Sequence, residues 1–379
     1  MSVKPKDIAP LSFEANPYIR KLDTCLGSTR FLNLKEMLEP ADKYNFGVLA
    51  ANAVVQEMLY AVLDAAFECN SPLIIESAES QVGYALSGSD YKDKLTGFMD
   101  LVVDEVEKRV KQYKRIPPFC MHIDHLQKDP KLAYAAVEAG YTSVELDFSK
   151  QPTSDRTEAV RMNIEKCMPI IEDLHPLGIS FEVEEGEIGS AKARAAQTRV
   201  QIMAEITKVE DAVLLVDGTN PEALAPFIGS AHGEIVGEPS IFYGRIGEIR
   251  EGLRCKGIKD VPIALHGGTG QTNEGFNEAV KQGARKFNYA SRFWTILFNN
   301  LREDDAGAAI LKEMAIEAKK IGKKSGRYMW VRFNDKLRDE VNPQIFRNAQ
   351  REMYEHVCEL MEKAFWSKGM AQHYKPKFI

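Results

Sequence analysis

The sequence lacks several features that would assign the protein to a specialised class. Its six cysteines are scattered without a Cys-x-x-Cys pair, which argues against a disulfide framework or a structural zinc finger and favours a reducing compartment. No hydrophobic run approaches the roughly 20 residues that a membrane-spanning helix needs, and the first residues contain no apolar signal segment. No internal repeat or low-complexity tract is present. We therefore expect a globular, cytoplasmic protein without a membrane partner.

The sequence also lacks an excess of positive charge. With 49 basic and 55 acidic residues its formal net charge is −6 at pH 7, so nothing attracts nucleic acid or an anionic membrane in a general way. No nucleic-acid-binding motif is present either, and we expect no nucleic-acid partner. Any anion that the protein binds must meet a local basic or backbone site.

Strands and helices are predicted to alternate through most of the 379 residues. The predicted strands are residues 46–52, 73–77, 119–124, 143–147, 179–184, 224–228, 262–265 and 286–289. Eight alternations over about 250 residues are typical of a (β/α)8 barrel, although a doubly wound sheet alternates in the same way. We predict an α/β fold with a (β/α)8 TIM barrel at 41–300, an N-terminal extension at 1–40 and a C-terminal helical extension at 301–379.

Three of the seven histidines fall at the ends of predicted strands, namely His125, His232 and His266. A (β/α)8 barrel collects its chemistry at the carboxyl ends of its strands, so the fold would bring these distant imidazoles together. Three histidines with an open fourth position form the pattern of a catalytic zinc. The alternative is that they are ordinary core or surface histidines, because their spacing in the sequence does not prove that they converge.

Carboxylates accompany these histidines. Asp124 directly precedes His125 and could exchange a proton with an oxygen bound at the metal. The alternative is that Asp124 only orients a histidine. Glu182 and Glu184 share one face of the fifth predicted strand, where one of them could be an alternate metal ligand.

Polar loops follow the seventh and eighth predicted strands. Residues 266–270 offer glycine backbone N–H groups and the hydroxyl of Thr269, and residues 286–291 add Asn288 and Ser291. Backbone N–H groups of this kind bind oxyanions, and phosphate often binds after these two strands of a barrel. The alternative is that the glycines only form tight turns. Two such loops in succession favour phosphate.

In the order of these motifs the chain resembles the class II, zinc-dependent ketose-bisphosphate aldolases, such as fructose-1,6-bisphosphate and tagatose-1,6-bisphosphate aldolase. The motifs that carry the likeness lie at residues 46–52, 122–125, 143–147, 178–184, 229–233, 266–270 and 286–288. The resemblance implies a (β/α)8 barrel with one catalytic Zn2+ per chain. It also implies a homodimer or homotetramer that acts in carbohydrate metabolism such as glycolysis.

The resemblance further implies a role for each candidate site residue. His125, His232 and His266 would bind the zinc, and Glu184 would hold a second, shifted metal position. The zinc would stabilise an enediolate as a ketose 1-phosphate is cleaved to dihydroxyacetone phosphate and an aldehyde, with Asp124 as the acid that exchanges a proton with the aldehyde oxygen. The residues that would bind the substrate or its phosphate are Asn52, Gly233, Gly267, Thr269, Asn288 and Ser291.

Three positions depart from the family pattern. Lys192 stands where the family's loop carries the acid that removes the donor's proton, Ala78 replaces a substrate-binding serine, and Gln344 falls near an arginine that a neighbouring subunit contributes. These changes suggest an altered distal pocket, in which Lys192 and Arg194 would contact an anionic tail.

The departures leave two questions open. The proton could be removed by Glu187, Glu205, Lys192 or a metal-bound water. The chain could also be an aldolase for a sulfo- or deoxy-ketose 1-phosphate, or an aldolase-like barrel that binds a sugar phosphate as a regulatory subunit without turning it over.

Overall fold

A ring of parallel strands is the central feature of the structure, a computed structural model that describes residues 8–186, 194, 196–231, 233 and 241–375. Its strands are β1 (Lys21–Thr24), β2 (Gly27–Arg30), β3 (Val48–Ala51), β4 (Leu73–Ala78), β5 (Phe119–Leu126), β6 (Ser143–Leu146), β7 (Ser180–Glu185), β8 (Ala223–Pro226), β9 (Ile263–Leu265) and β10 (Ala284–Tyr289). Strands β3 to β10 form a closed barrel in the order β10-β3-β4-β5-β6-β7-β8-β9. The predicted (β/α)8 barrel is confirmed, and the ends of all eight predicted strands lie within two residues of the observed ends.

Helices follow the barrel strands and cover the outer surface of the barrel. The α-helices in the described part of the chain are α1 (Leu34–Tyr44), α2 (Gln56–Cys69), α3 (Glu79–Tyr84), α4 (Tyr91–Tyr113), α5 (Lys131–Ala139), α6 (Arg156–Leu174), α7 (Arg199–Glu205), α8 (Val209–Thr219), α9 (Gly244–Cys255), α10 (Asn273–Gln282), α11 (Ser291–Arg302), α12 (Asp305–Lys320), α13 (Trp330–Glu340) and α14 (Pro343–Glu359). Leu49, Ile75 and Phe287 belong to the apolar core between strands and helices and are completely buried. Among the described residues, none of these helices is both long and apolar enough to cross a bilayer.

Helix α1 closes the amino-terminal end of the barrel. It begins after Asn33, whose side chain accepts a hydrogen bond from the Glu36 amide while the Glu36 carboxylate accepts one from the Asn33 amide. This reciprocal cap satisfies two amides that a helix start leaves without partners. Met37 and Leu38 of this helix then pack on the inward-pointing side chain of Ile74.

The C-terminal helices pack on one side of the barrel. Helix α14 lies against α2 and α11, and the Tyr289 hydroxyl at the end of β10 is 2.7 Å from His356 Nε2 in α14. Just beyond α14, the Phe365 ring lies 4.7 Å from the Phe287 ring and 5.0 Å from the Phe276 ring. Through these contacts the C-terminal helices lie against α2, α11 and the end of β10.

Several elements differ from the prediction. The β1–β2 hairpin and helix α3 were not predicted. Helix α4 begins at Tyr91, where Asp90 caps it by accepting from the Asp93 amide. Helix α6 continues past Pro169, where the sequence favours a kink or an early break, and ends only at Leu174.

Candidate active site

Side chains that point into the barrel change from apolar to charged along the barrel axis. Val48, Ile74 and Cys120 form an apolar floor against α1. The next layer consists of ionisable side chains without exposed surface, which are Glu76, His122, Glu145, Glu182 and Lys286. Burial of a charge is costly unless it is paired, so these groups must satisfy one another.

Lys286 is the positive centre of this ionic layer. Its Nζ lies 2.7 Å from Glu76 Oε1 and 3.0 Å from Glu182 Oε2, and it donates to Asn288 Oδ1 at 2.7 Å. Burial alone lowers the pKa of a lysine, but the carboxylates of Glu182 and Glu76 outweigh it and raise the pKa of Lys286. Lys286 therefore stays protonated at neutral pH.

The charge of Lys286 divides its neighbours into ionised and neutral groups. Burial raises the pKa of Glu182, but Lys286 and His266 outweigh burial and bring this pKa below its usual value. Burial lowers the pKa of His122 to about 3, with a further contribution from Lys286. The neutral His122 ring lies 2.7 Å from Ser143 Oγ through Nδ1.

Asp124 is held between two amides at the mouth of the barrel. Asn52 Nδ2 donates to its Oδ2 at 2.9 Å, and Asn288 Nδ2 donates to its Oδ1 at 2.8 Å. Burial raises the pKa of Asp124, but His125, His266 and then Lys286 outweigh it, so this pKa is lowered. The resting side chain is therefore a carboxylate with a fixed orientation.

His125 leaves the strand in an unusual backbone conformation. Its φ is 52°, which is uncommon for a residue other than glycine, and the pairing of β5 with β6 shifts register between Ile123 and Leu126. Such an irregularity re-aims a side chain that strict alternation would send outward. As a result the His125 ring faces His266 edge-on, with the ring centroids 4.7 Å apart.

Carboxylates surround the His125 ring. Its Nδ1 lies 3.2 Å from Asp147 Oδ2, 3.4 Å from Glu145 Oε1 and 3.5 Å from Glu184 Oε2. Burial lowers the pKa of His125, but Asp124 and then Glu184 outweigh it and raise the pKa to about 10. Acidic side chains therefore converge on this point of the barrel mouth, an arrangement that suits a cation.

His266 and Glu184 present two buried polar atoms to each other. His266 Nε2 is 2.8 Å from Glu182 Oε1, which leaves Nδ1 directed at Glu184 Oε2 at 3.2 Å. Neither His266 Nδ1 nor Glu184 Oε2 forms a hydrogen bond within the described residues, although an unsatisfied buried polar group costs about 1–3 kcal/mol. Burial first and Asp147 second raise the pKa of Glu184 well above its usual value.

The arrangement can hold a divalent metal ion. Ligand atoms of Asp124, His125, Glu145 and His266 lie within 4.8 Å of one another, and so do those of His125, Glu145, Asp147 and Glu184. Imidazole nitrogen and carboxylate oxygen are ligands that zinc accepts. A cation between His125, His266 and Glu184 would satisfy the two atoms that lack hydrogen bonds.

Most of the predicted site residues line a single cleft of about 790 Å³ at the barrel mouth. They are Asn52, Asp124, His125, Glu184, Gly233, Gly267, Thr269, Asn288 and Ser291. The predicted metal ligand His232 and the predicted anion contact Lys192 lie outside the described residues. His266 lies just below the cleft, against Glu184.

Arg194 is directed elsewhere. It forms an ion pair with Glu205 and donates to Gln197 Oε1 at 2.8 Å, and its guanidinium carbon is 4.1 Å from the centre of the Phe227 ring. It is not among the described residues that line the cleft. Its role as a distal anion contact stays a prediction that these contacts do not support.

Glycine is required where the loop after β9 passes the loop after β8. Gly267 has a φ of +69°, and a Cβ on it would come within 2.5 Å of the Ala231 carbonyl oxygen. A Cβ on Gly268 would come within 2.8 Å of the Asn288 carbonyl oxygen, and the Gly268 amide donates to that oxygen at 3.3 Å. The bare backbone thus brings the cleft wall at Thr269 next to Asn288.

Sequence reasoning missed most of the ionic layer and much of the cleft wall, including an arginine from the C-terminal extension. Glu76 and Lys286 alternate with Ala78 and Asn288 along their strands, so the two-residue period would have pointed them into the barrel. Arg327 lines the cleft from the C-terminal extension, and no local pattern around it indicates this.

Comparison with known proteins agrees with this geometry. The sequence model of the family described as "Fructose-bisphosphate aldolase class-II" matches residues 32–370. The chain belongs to that family. The fructose-bisphosphate aldolase of Geobacillus stearothermophilus is 30% identical over 257 residues, which are 68% of this chain and 79% of that protein. The enzyme of the same name from Staphylococcus epidermidis strain RP62A is 30% identical over 68% of this chain and 80% of its own length.

Solved structures of aldolases share the fold. The YdjI aldolase of Escherichia coli K12 superposes with a TM-score of 0.63 at 20% identity, covering 90% of this chain and 99% of that one. The fructose-bisphosphate aldolase of Campylobacter jejuni gives a TM-score of 0.62 at 17% identity, over 89% of this chain and 96% of that one. At these identities the likeness concerns the (β/α)8 barrel, while family membership supports aldolase function.

Removing the lysine charge tests the ionic layer. Lys286→Met leaves Glu182 and Glu76 buried without their cation, so the free energy of unfolding should fall by about 3–5 kcal/mol. Urea unfolding followed by circular dichroism measures the change. Lys35→Met is the matched control, because the Lys35–Glu39 ion pair is exposed and contributes little. Equal stability of the two variants would contradict the account.

Replacing His266 tests the metal site. His266→Ala should lose most of its bound divalent metal, since it removes a ligand atom next to Glu184. Mass spectrometry of the metal content after gel filtration measures this. His175→Ala is the control, because His175 is also buried but bonds to the Ala9 carbonyl and Glu222, away from the cleft. Full metal content in the His266 variant would exclude His266 as a ligand.

Proposed function

We propose that the protein is a zinc-dependent aldolase that cleaves or forms a ketose 1-phosphate, with dihydroxyacetone phosphate and an aldehyde as the other reactants. The observation that carries the proposal is the juxtaposition of His125, Glu184 and a clamped Asp124 in one cleft, with His266 directly below it against Glu184. Membership of the class II family supports the aldolase chemistry. We further propose a cytoplasmic homodimer or homotetramer that acts in carbohydrate metabolism such as glycolysis.

The proposed metal ligands are His125, His266 and the predicted third histidine, His232, with Glu184 as a further ligand. Glu182 fixes His266 from the far side, since its Oε1 lies 2.8 Å from Nε2 and leaves Nδ1 for the cation, as carboxylates behind metal-binding histidines commonly do. When bound there, Zn2+ supplies a Lewis acid that stabilises negative charge on the substrate's carbonyl oxygen.

Asp124 is proposed to move the proton of the aldehyde oxygen. In cleavage its carboxylate takes the proton of the C4 hydroxyl, the C3–C4 bond breaks, and the bonding electron pair stays with the dihydroxyacetone phosphate half. In condensation the same oxygen returns the proton. The amides of Asn52 and Asn288 keep both carboxylate oxygens in place, so little reorganisation is needed during the transfer.

The phosphate of the donor is proposed to bind where the loops after β8, β9 and β10 meet. Gly233, Gly267 and Thr269 line the cleft there, together with Asn288 and Ser291. Ser291 is the first residue of the 12-residue helix α11, and the amino-terminal end of a helix favours an anion.

A panel of ketose 1-phosphates tests the reaction. The members differ at C6, with phosphate, sulfonate, hydroxyl or hydrogen there, and each is assayed for release of dihydroxyacetone phosphate with and without a chelator. We expect chelator-sensitive release from at least one member. Silence across the panel, with zinc bound to every chain, would favour the alternative of a sugar-phosphate-binding barrel without turnover.

An isosteric substitution tests the proton transfer. Asp124→Asn keeps the side chain's shape but cannot accept a proton, so kcat should fall by about 10²–10⁴-fold while the metal stays bound. Asp129→Asn is the control, because Asp129 lines the same cleft and its amide donates to Glu79. Undiminished turnover in the Asp124 variant would remove Asp124 from this role.

A further inference from the structure

The cleft wall contributed by the C-terminal extension carries an arginine. The lysine and arginine side chains that line the cleft in the described residues are Lys128, Lys150, Lys166 and Arg327. The three lysines are exposed, and Lys166 donates to Gln151 Oε1 at 3.0 Å. Arg327 is only partly exposed, its Nε is buried without a hydrogen bond, and no carboxylate among the described residues forms an ion pair with it.

Aromatic packing fixes Arg327 at this wall. It lies in the single turn Gly326–Met329, where its amide donates to Ser325 Oγ at 3.4 Å. The Tyr328 ring is 4.7 Å from the Tyr84 ring at the end of α3, and the Arg327 guanidinium carbon is 5.4 Å from the Tyr328 ring. Burial raises the pKa of Tyr84 to about 12 in spite of Arg327, so Tyr84 remains a neutral phenol and does not neutralise the arginine.

Three acidic side chains of the same cleft have other partners. Asp124 accepts from Asn52 and Asn288, and Glu79 accepts from the backbone amides at positions 127 and 129. Asp147 accepts from Ser149 and Gln127 and lies beside His125. A guanidinium offers five donors in a planar fork that matches phosphate, sulfonate or carboxylate. The wall at Arg327 is therefore suited to an anion that is not part of the described residues.

The order of the strands in the barrel places the wall at Arg327 away from the proposed donor-phosphate site. Arg327 reaches the cleft over α3, which directly follows β4, whereas Gly267 and Thr269 follow β9. The order β9-β10-β3-β4 places these strands three positions apart. With neighbouring strands about 4.8 Å apart, the two walls are separated by roughly 10 Å or more. Asp124 and Asn52 line the same cleft.

We propose that Arg327 forms an anion subsite, contributed by the same chain, for the group at the far end of the aldehyde. This inference rests on the proposed aldolase function and narrows the aldehyde to one that ends in a phosphate, sulfonate or carboxylate. The substrate is then an open-chain ketose with an anionic group at each end, and Arg327 acts as a specificity residue that binds the terminal anion in a bidentate manner.

Condensation with matched aldehydes tests the subsite. Dihydroxyacetone phosphate is combined with glyceraldehyde 3-phosphate or with uncharged glyceraldehyde, using the wild type, Arg327→Gln, Arg327→Lys and Lys324→Gln. Arg327→Gln should lower kcat/KM about 10- to 100-fold for the phosphorylated aldehyde, chiefly through KM, and leave the uncharged aldehyde nearly unchanged. Arg327→Lys should be intermediate, since it keeps the charge without the fork. Lys324, exposed on the same segment, is the control and should change neither value.

The same assay identifies the preferred terminal anion and can also contradict the proposed subsite. Replacing glyceraldehyde 3-phosphate by 3-sulfolactaldehyde or succinic semialdehyde identifies which terminal anion depends most on Arg327. An equal loss for charged and uncharged aldehydes would place Arg327 at the donor or in folding, and no loss at all would remove it from the cleft's chemistry. Either result overturns the proposal while leaving the aldolase function intact.

A binding measurement separates this proposal from the proposed function. The Trp294 ring lies 6.1 Å from Tyr84 and 5.5 Å from Trp330, so tryptophan fluorescence reports on the Arg327 wall. Titration with glyceraldehyde 3-phosphate should give a saturable change in the wild type and a Kd about 10- to 100-fold weaker in Arg327→Gln. If no aldehyde reacts but this difference persists, the aldolase function fails and the anion subsite stands. If the wild type and Arg327→Gln bind glyceraldehyde 3-phosphate equally well, the proposed subsite is wrong.

Discussion

The buried ammonium of Lys286 is the charge on which the barrel mouth depends. It binds Glu182 and Asn288 directly, and each of these holds one residue of the candidate site. Glu182 Oε1 lies 2.8 Å from His266 Nε2, and Asn288 donates to Asp124 at 2.8 Å. A single positive charge thus orders both a candidate metal ligand and the candidate proton carrier. Burial of these ionisable groups is costly unless they are paired, and the ion pairs of Lys286 with Glu76 and Glu182 offset part of that cost.

Because the strands close into a barrel, the two-residue alternation along each strand produces the layers of the site. Along β5 the inward residues are Cys120 in the apolar floor, His122 in the ionic layer and Asp124 at the mouth. The same two-residue step recurs on the other strands, so each layer forms only when the eight strands are in register. His125 departs from the step through its left-handed backbone, and this departure brings an imidazole beside Asp124 that alternation alone would send outward.

Features of the structure that depend on local sequence patterns could be predicted, whereas features that depend on contacts between distant residues could not. The strands could be predicted because a barrel strand is a short apolar run that ends in polar residues. The orientation of Lys286 also follows from alternation, but its partners Glu76 and Glu182 lie on strands more than 100 residues away. Arg327 could not be predicted, since its position depends on packing between Tyr84 and Tyr328. His232 stays a prediction because it lies outside the described residues.

The electrostatic division of the cleft limits the kind of molecule that it can accept. The acidic side chains around His125 make the centre of the mouth suited to a cation, whereas the wall at Arg327 is positive and the loop at Gly267 presents backbone. Each of these charged regions acts more strongly on a ligand that displaces the solvent, because the effective dielectric constant falls. A dianionic ketose whose uncharged carbonyl and hydroxyl groups lie between its anionic ends matches this pattern. If Arg327 forms the proposed anion subsite, a neutral sugar would leave its guanidinium desolvated without a partner, so the burial that would strengthen binding of a dianion would also discriminate against the neutral analogue.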